Sequence, residues 1–114
     1  MQDNISLSLG HENNKVVISI GGDVTAVTGE EISSAYQKAS DEGAMAFVLH
    51  FEEGSYINSG GLAFLIDIAS ESRKKKQAVC VSGLSDHFMK IFKMVGLTRC
   101  FETFHDKNDA INRC

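Results

Sequence analysis

The run Tyr56-Ile57-Asn58-Ser59-Gly60-Gly61-Leu62 places a hydroxyl and two glycines between two apolar stretches, residues 45–51 and 62–76. The first stretch reads as a strand and the second as a helix, so Ser59 falls where a helix begins. A helix N-terminus presents unpaired backbone N–H groups and the positive end of the macrodipole. Negative charge is favoured there, and a phosphate carried on a hydroxyl at that point would be electrostatically stabilised. A second group with chemical potential is His50, close in sequence to Glu52 and Glu53. The remaining histidines, His11, His87 and His105, are scattered and have no metal-ligand spacing with the cysteines. No glycine-rich stretch matches a P-loop or a dinucleotide fingerprint. Ser59 has no base nearby in sequence, and its surroundings are not a Gly-x-Ser-x-Gly elbow. These observations assign no catalytic residue, no metal ligand and no cofactor, and the expectation is a protein that is not an enzyme.

Around these residues lies a chain of 114 residues, a length that suits one domain with a core of its own. Hydrophobic residues make up 43% and charged residues 23%, which is ordinary for a soluble globular domain. The net charge of −4 does not favour a nucleic-acid surface. The basic run Arg73-Lys74-Lys75-Lys76 sits where a helix would end, and cations suit that end of the dipole. Three cysteines, Cys80, Cys100 and Cys114, make an odd count without paired spacing, which argues against a disulfide framework. Cys80 lies in an apolar run and reads as a small buried hydrophobe. No stretch approaches the ~18 apolar residues of a membrane span. The start, Met1-Gln2-Asp3-Asn4, lacks the regions of a signal peptide, so a cytoplasmic location without membrane insertion is expected.

The elements that must position Ser59 follow from hydrophobic spacing. Ile5, Leu7 and Leu9 alternate with polar residues, and residues 16–20 form a second apolar run. With the turn-like stretch 10–14 between them they read as a hairpin, ended by Gly21-Gly22-Asp23. Thr28 and Glu31 have capping-box spacing, Ile32, Ala35, Tyr36 and Ala39 recur at helical intervals, and Gly43 suits the helix end. Residues 45–51 suit a central strand covered on both faces. Residues 78–81 form a short strand, Ser85 is placed to cap a helix along Phe88, Ile91, Phe92 and Val95, and Gly96 stops it. Phe101 and Phe104 flank a last strand, and residues 109–114 form a terminal half-helix. The order is β-β-α-β-α-β-α-β with a short final helix. Such alternation implies crossovers and a mostly parallel sheet.

With these elements in place, residues 5–112 resemble a STAS domain, the fold shared by bacterial anti-sigma-factor antagonists and the cytoplasmic tails of sulfate transporters. The resemblance rests on the element order and on three motifs. These are Gly22-Asp23-Val24, Ile57-Asn58-Ser59-Gly60-Gly61-Leu62, and Gly83-Leu84-Ser85 followed by Ile91-Phe92 and Val95-Gly96-Leu97. It implies a single STAS domain over 1–114, an α/β fold with a mixed, mostly parallel sheet of about five strands and three to four helices mainly on one side. It also implies partner switching in transcription regulation: the domain binds an anti-sigma kinase and frees a sigma factor, and phosphorylation of the second serine of an Asp-Ser-Ser-Gly pattern ends the contact.

Matched residue by residue, the switch is missing from this chain. Gly60 occupies the acceptor position, Asn58 stands where the family has an acid, and Thr25 aligns with a second family acid that follows strand two. Ser59 has two readings. As an N-cap it contributes about 1 kcal/mol and needs no partner; as a substitute acceptor it would be the phosphorylation residue. The cap is the expected role. The glycines also have two readings, a tight turn needing unusual dihedrals and a close approach of partner backbone.

The implied function is a non-enzymatic, antagonist-like module that binds an anti-sigma factor or serine kinase, or a related regulator, without the usual phospho-release. Its contact residues would be Asp23, Thr25, Asn58, Ser59, Gly60, Gly61 and Leu62. The alternative is a structural STAS subunit of a signalling assembly or of a lipid-transport ABC complex, with a homodimer also open. A third class is a nucleotide or small-ligand sensor using Gly60-Gly61 as an anion nest.

Overall fold

The computed structural model describes residues 5–114; the reading of Met1-Gln2-Asp3-Asn4 lies outside them. Strand β1 (Ile5–Glu12) pairs antiparallel with β2 (Lys15–Val24) in a register that ends at Glu12 opposite Lys15. That leaves Asn13 and Asn14 as a two-residue turn, both at positive φ (51° and 64°). Such a turn matches the twist of paired strands, and asparagine tolerates its dihedrals. The hairpin is therefore tighter than the stretch 10–14 suggested.

Helix α1 (Ala26–Asp41) leads to β3 (Ala46–Phe51), then β4 (Tyr56–Ile57), α2 (Ser59–Lys74), β5 (Ala78–Ser82), α3 (Asp86–Met94), a 3-10 turn (Leu97–Arg99), β6 (Glu102–Phe104) and α4 (Lys107–Arg113). The sheet order is β1-β2-β3-β5-β6, with β4 beside the end of β2. Every pairing except β1–β2 is parallel. This is the mixed, mostly parallel α/β arrangement that the hydrophobic spacing implied.

Two-residue alternation sorts the strands onto two faces. Ile18, Ile20, Phe47, Leu49, Val79 and Val81 form the main core with α1, α2 and α3, through residues such as Ile32, Tyr36, Leu65, Ile68 and Phe92. Val17 and Val48 point the other way and are covered by Ala110 and Ile111 of α4. Three helices thus lie on one face and one on the other, and β3 is buried on both.

Some local expectations are corrected. Strand β2 does not stop at Gly21-Gly22-Asp23 but runs on to Val24, with Gly22 at φ 102°. It continues because β4, a two-residue strand too short to show alternation, pairs with Asp23 and Val24. Helix α1 consequently starts just after Val24. Its capping box is Thr25 with Thr28, not Thr28 with Glu31. Gly43 does follow the helix end at φ 100°, and Ser85 does cap α3 by accepting from the Phe88 N–H (3.3 Å).

The cysteine reading is also overturned. Cys80 and Cys114 form a disulfide, and Cys100 is free. Cys80 is buried as expected, but it faces α4 together with Val17 and Val48. Sequence spacing could not pair two residues 34 apart; the packing of α4 across the second sheet face does.

Candidate functional site

The end of β2 and the 58–62 turn are built as one unit. Asp23 and Val24 pair in parallel with Tyr56 and Ile57, and the Asn58 N–H donates to the Val24 carbonyl (3.0 Å). From these two strand ends the two longest helices depart, so their N-termini lie at the same edge of the sheet. Each has its own side-chain cap. Thr25 Oγ1 accepts from the N–H groups of Val27 and Thr28 (3.2 Å each), while the Thr25 N–H donates to Thr28 Oγ1 (2.8 Å). Thr28 Oγ1 in turn donates to the Asp23 carbonyl (2.6 Å), which ties the cap back to the strand.

At α2 the cap is Asn58, not Ser59. Asn58 Oδ1 accepts from the Gly61 N–H (2.9 Å), and the Leu62 N–H donates to the Asn58 carbonyl (2.9 Å). An amide supplies the acceptor oxygen as well as a carboxylate would, without the charge. Ser59 is the first helical residue and is exposed. Neither α1 nor α2 has an acidic residue in its first turn. The positive ends of both helices therefore lie at this edge with no carboxylate in their own first turns.

The glycines act through proximity rather than through dihedral freedom. Neither Gly60 nor Gly61 has a positive φ. A Cβ on Gly61 would lie 2.2 Å from the Val24 carbonyl oxygen, and one on Gly60 would lie 2.9 Å from the Ala26 Cβ. Gly29 of α1 is similar, with Phe64 of α2 only 2.8 Å from its would-be Cβ. Three glycines thus bring the start of α2 against the β2–α1 junction. The backbone that approaches Gly60 and Gly61 belongs to this same chain.

The structure brings all seven expected contact positions to this edge and separates them by accessibility. Asp23, Asn58 and Ser59 are exposed; Thr25, Gly60 and Leu62 are half-buried; Gly61 is buried. Two residues that sequence reasoning passed over stand out beside them. Val27 and Tyr56 expose large apolar side chains, at 62% and 55%. Reading Thr25 as a cap would have placed Val27 in a helix first turn; Tyr56 carried no comparable signal.

His50 lies elsewhere, at the C-terminal end of β3 beside β5. Its Nδ1 is 2.8 Å from Ser82 Oγ and its Nε2 is 3.6 Å from a Glu52 carboxylate oxygen. Burial holds its pKa below the ordinary value; Glu52 and Asp106 oppose that shift and Lys107 adds to it. The imidazole is therefore neutral near pH 7, with Nε2 protonated toward Glu52 and Nδ1 accepting from Ser82. Among the described residues, no helix is long and apolar enough to cross a membrane.

Comparison with known proteins points one way. The family described as Mlab, STAS domain, is matched over residues 7–103. The chain is 23% identical over 100 residues to the anti-sigma-B factor antagonist of Listeria monocytogenes, covering 87% of this chain and 88% of that protein. Its structure is similar to that of an anti-sigma factor antagonist from Mycobacterium paratuberculosis, with a TM-score of 0.80 at 18% identity over 98% and 95% of the two chains. It is also similar to the anti-sigma factor antagonist SpoIIAA, a Bacillus cell fate determinant, in its unphosphorylated form. There the TM-score is 0.77 at 22% identity over 95% of each chain. At these identities the likeness to the solved structures is one of fold.

Proposed function

This chain belongs to the STAS domain family, and on that premise we propose that it is a non-enzymatic regulatory module. In this reading it is a single STAS domain over 1–114, acting in the cytoplasm. Its partner is an anti-sigma factor, a serine kinase or a related regulator. The contact surface is the edge formed by Asp23, Thr25 and residues 58–62, extended by the exposed Val27 and Tyr56.

The carrying observation is at position 60. A phosphate on a hydroxyl there would add about −1.5 to −2 charges between two helix N-termini and change the edge's complementarity sharply. Gly60 has no hydroxyl, and the space a side chain would need is taken by Ala26. Contact at this edge is then governed by the amounts of the partners rather than by phosphate on the usual residue. Ser59 is exposed one residue earlier and is the remaining hydroxyl of the turn.

The test is to incubate the protein with an anti-sigma kinase and ATP and to measure its intact mass. An unchanged mass is expected; stoichiometric phosphate on Ser59 overturns the loss of the switch. Capture with the tagged chain should recover a kinase or regulator. The same closed position 60 favours a second reading, a structural subunit of a signalling assembly or of a lipid-transport ABC complex, because such a role has no release step. Light scattering after size exclusion separates the two: a large homo-assembly, or capture of an ATPase, favours the structural role.

A further inference from the structure

A cavity of about 340 Å³ opens beside the C-terminal ends of β3 and β5, between the loop that follows β3 and the start of α3. Its volume falls within the roughly 300–1,000 Å³ of small-molecule pockets. Its lining combines two chemistries: Phe51, Ile57, Leu84 and Phe88 are apolar, and Glu52, Glu53 and His50 are polar. Among the described residues, no lysine or arginine lines the cavity, and with His50 neutral the charged groups of its lining are the two carboxylates.

One polar residue of the lining is held in place. His50 is fixed between Ser82, which is fully buried, and Glu52. The loop before α3 approaches the end of β3 so closely that a Cβ on Gly83 would lie 2.0 Å from the Phe51 carbonyl oxygen. Gly83 takes φ 84°, which a residue with a side chain rarely adopts. Glycine therefore keeps this loop against β3, with Leu84 on the cavity wall. Phe88 is wedged by Tyr56, whose ring meets it edge-on at 5.5 Å. The apolar wall is thus pre-formed, and a ligand entering it would need to order little of the protein.

We propose that this cavity binds a small organic cation, an ammonium or guanidinium group on an apolar body. The cationic head would lie at Glu52 and Glu53 and the body against Leu84, Ile57 and Phe88. Carboxylate next to apolar wall selects that combination: a neutral apolar molecule leaves the carboxylates unpaired, and an anion is repelled by them. The site differs in residues and in charge preference from the helix N-termini at the 58–62 turn. It does not depend on the partner reading above.

Amide chemical-shift mapping of the whole chain tests it with two probes of matched shape, phenethylammonium and 3-phenylpropionate. Phenethylammonium at up to about 10 mM, a concentration suited to a ligand with so few atoms, should move the amides of Gly54, Leu84 and Ser85. The phenylpropionate should leave them in place. In the Glu52→Gln, Glu53→Gln double variant, whose side chains are exposed and whose spectrum will report its fold, the amine should bind at least about fivefold more weakly. Equal binding of the acid, an amine affinity unchanged in the double variant, amine shifts at other residues only, or no shift at all would each overturn the assignment.

Discussion

Gly60 and Ala26 meet so closely that a Cβ on Gly60 would stand 2.9 Å from the Ala26 Cβ and 3.0 Å from its backbone nitrogen. The position that the resemblance matches to the family's acceptor is therefore closed as well as lacking a hydroxyl. Gly60→Ser should cost about 1–3 kcal/mol through overpacking. In an Ala26→Gly background the cost should fall by at least about 0.5 kcal/mol, since the two sites share the contact. Urea unfolding of the four proteins measures this; additive effects would show that the two residues do not compete for space.

The cap of α2 separates two neighbouring residues. Asn58→Ala removes the oxygen that accepts from the Gly61 N–H and should cost about 1 kcal/mol. Ser59→Ala alters an exposed first-turn side chain and should stay within about 0.5 kcal/mol of the parent. Unfolding midpoints that rank the two the other way round would return the cap to Ser59.

His50 makes stability depend on pH with a definite sign. Its pKa in the folded chain lies below the ordinary 6.5, chiefly because of burial, with Lys107 adding to the shift and Glu52 and Asp106 opposing it. Ser82 of β5 completes its surroundings. As pH falls, the unfolded chain takes up the proton first. The contribution is thus present above about 6.5 and is lost as pH falls toward the folded value. Between about pH 7.5 and about pH 5.5, His50→Asn should therefore lose less stability than the parent. A parent that loses no more than the variant over that range would contradict this.

The Cys80–Cys114 disulfide ties α4 to β5. Reduction should lower stability by about 2–4 kcal/mol and should raise amide exchange in α4 more than in α1 or α2. Packing of Ala110 and Ile111 on Val17 and Val48 remains after reduction, so the main core should stay folded. Loss of all tertiary structure on reduction would show that α4 is needed for the whole fold.

Much of the fold was legible because its signals are local. Alternation in β1, β2 and β3 and three-to-four spacing in α1, α2 and α3 depend on neighbours along the chain. Those patterns also carried the parallel order, since a strand that returns through a helix must run parallel to the one before. Where signals overlapped, local reading slipped. Thr25, Thr28, Asn58 and Ser59 are all good cap residues, and the choice among them depended on where the β2–β4 pairing ends. A two-residue strand has no period to read.

Residue identities alone determined the chemistry missing at position 60, because no fold can give a glycine a hydroxyl. They also determined the faces of the sheet, because side-chain direction follows from backbone period. Tertiary structure decided the rest. It set Ala26 against Gly60 and Val24 against Gly61, joined Cys80 to Cys114, and placed Glu52, Leu84 and Phe88 around one cavity. Those relationships join residues brought near each other by strand pairing and helix packing, and the spacing of residues along a chain does not encode the distances that packing creates.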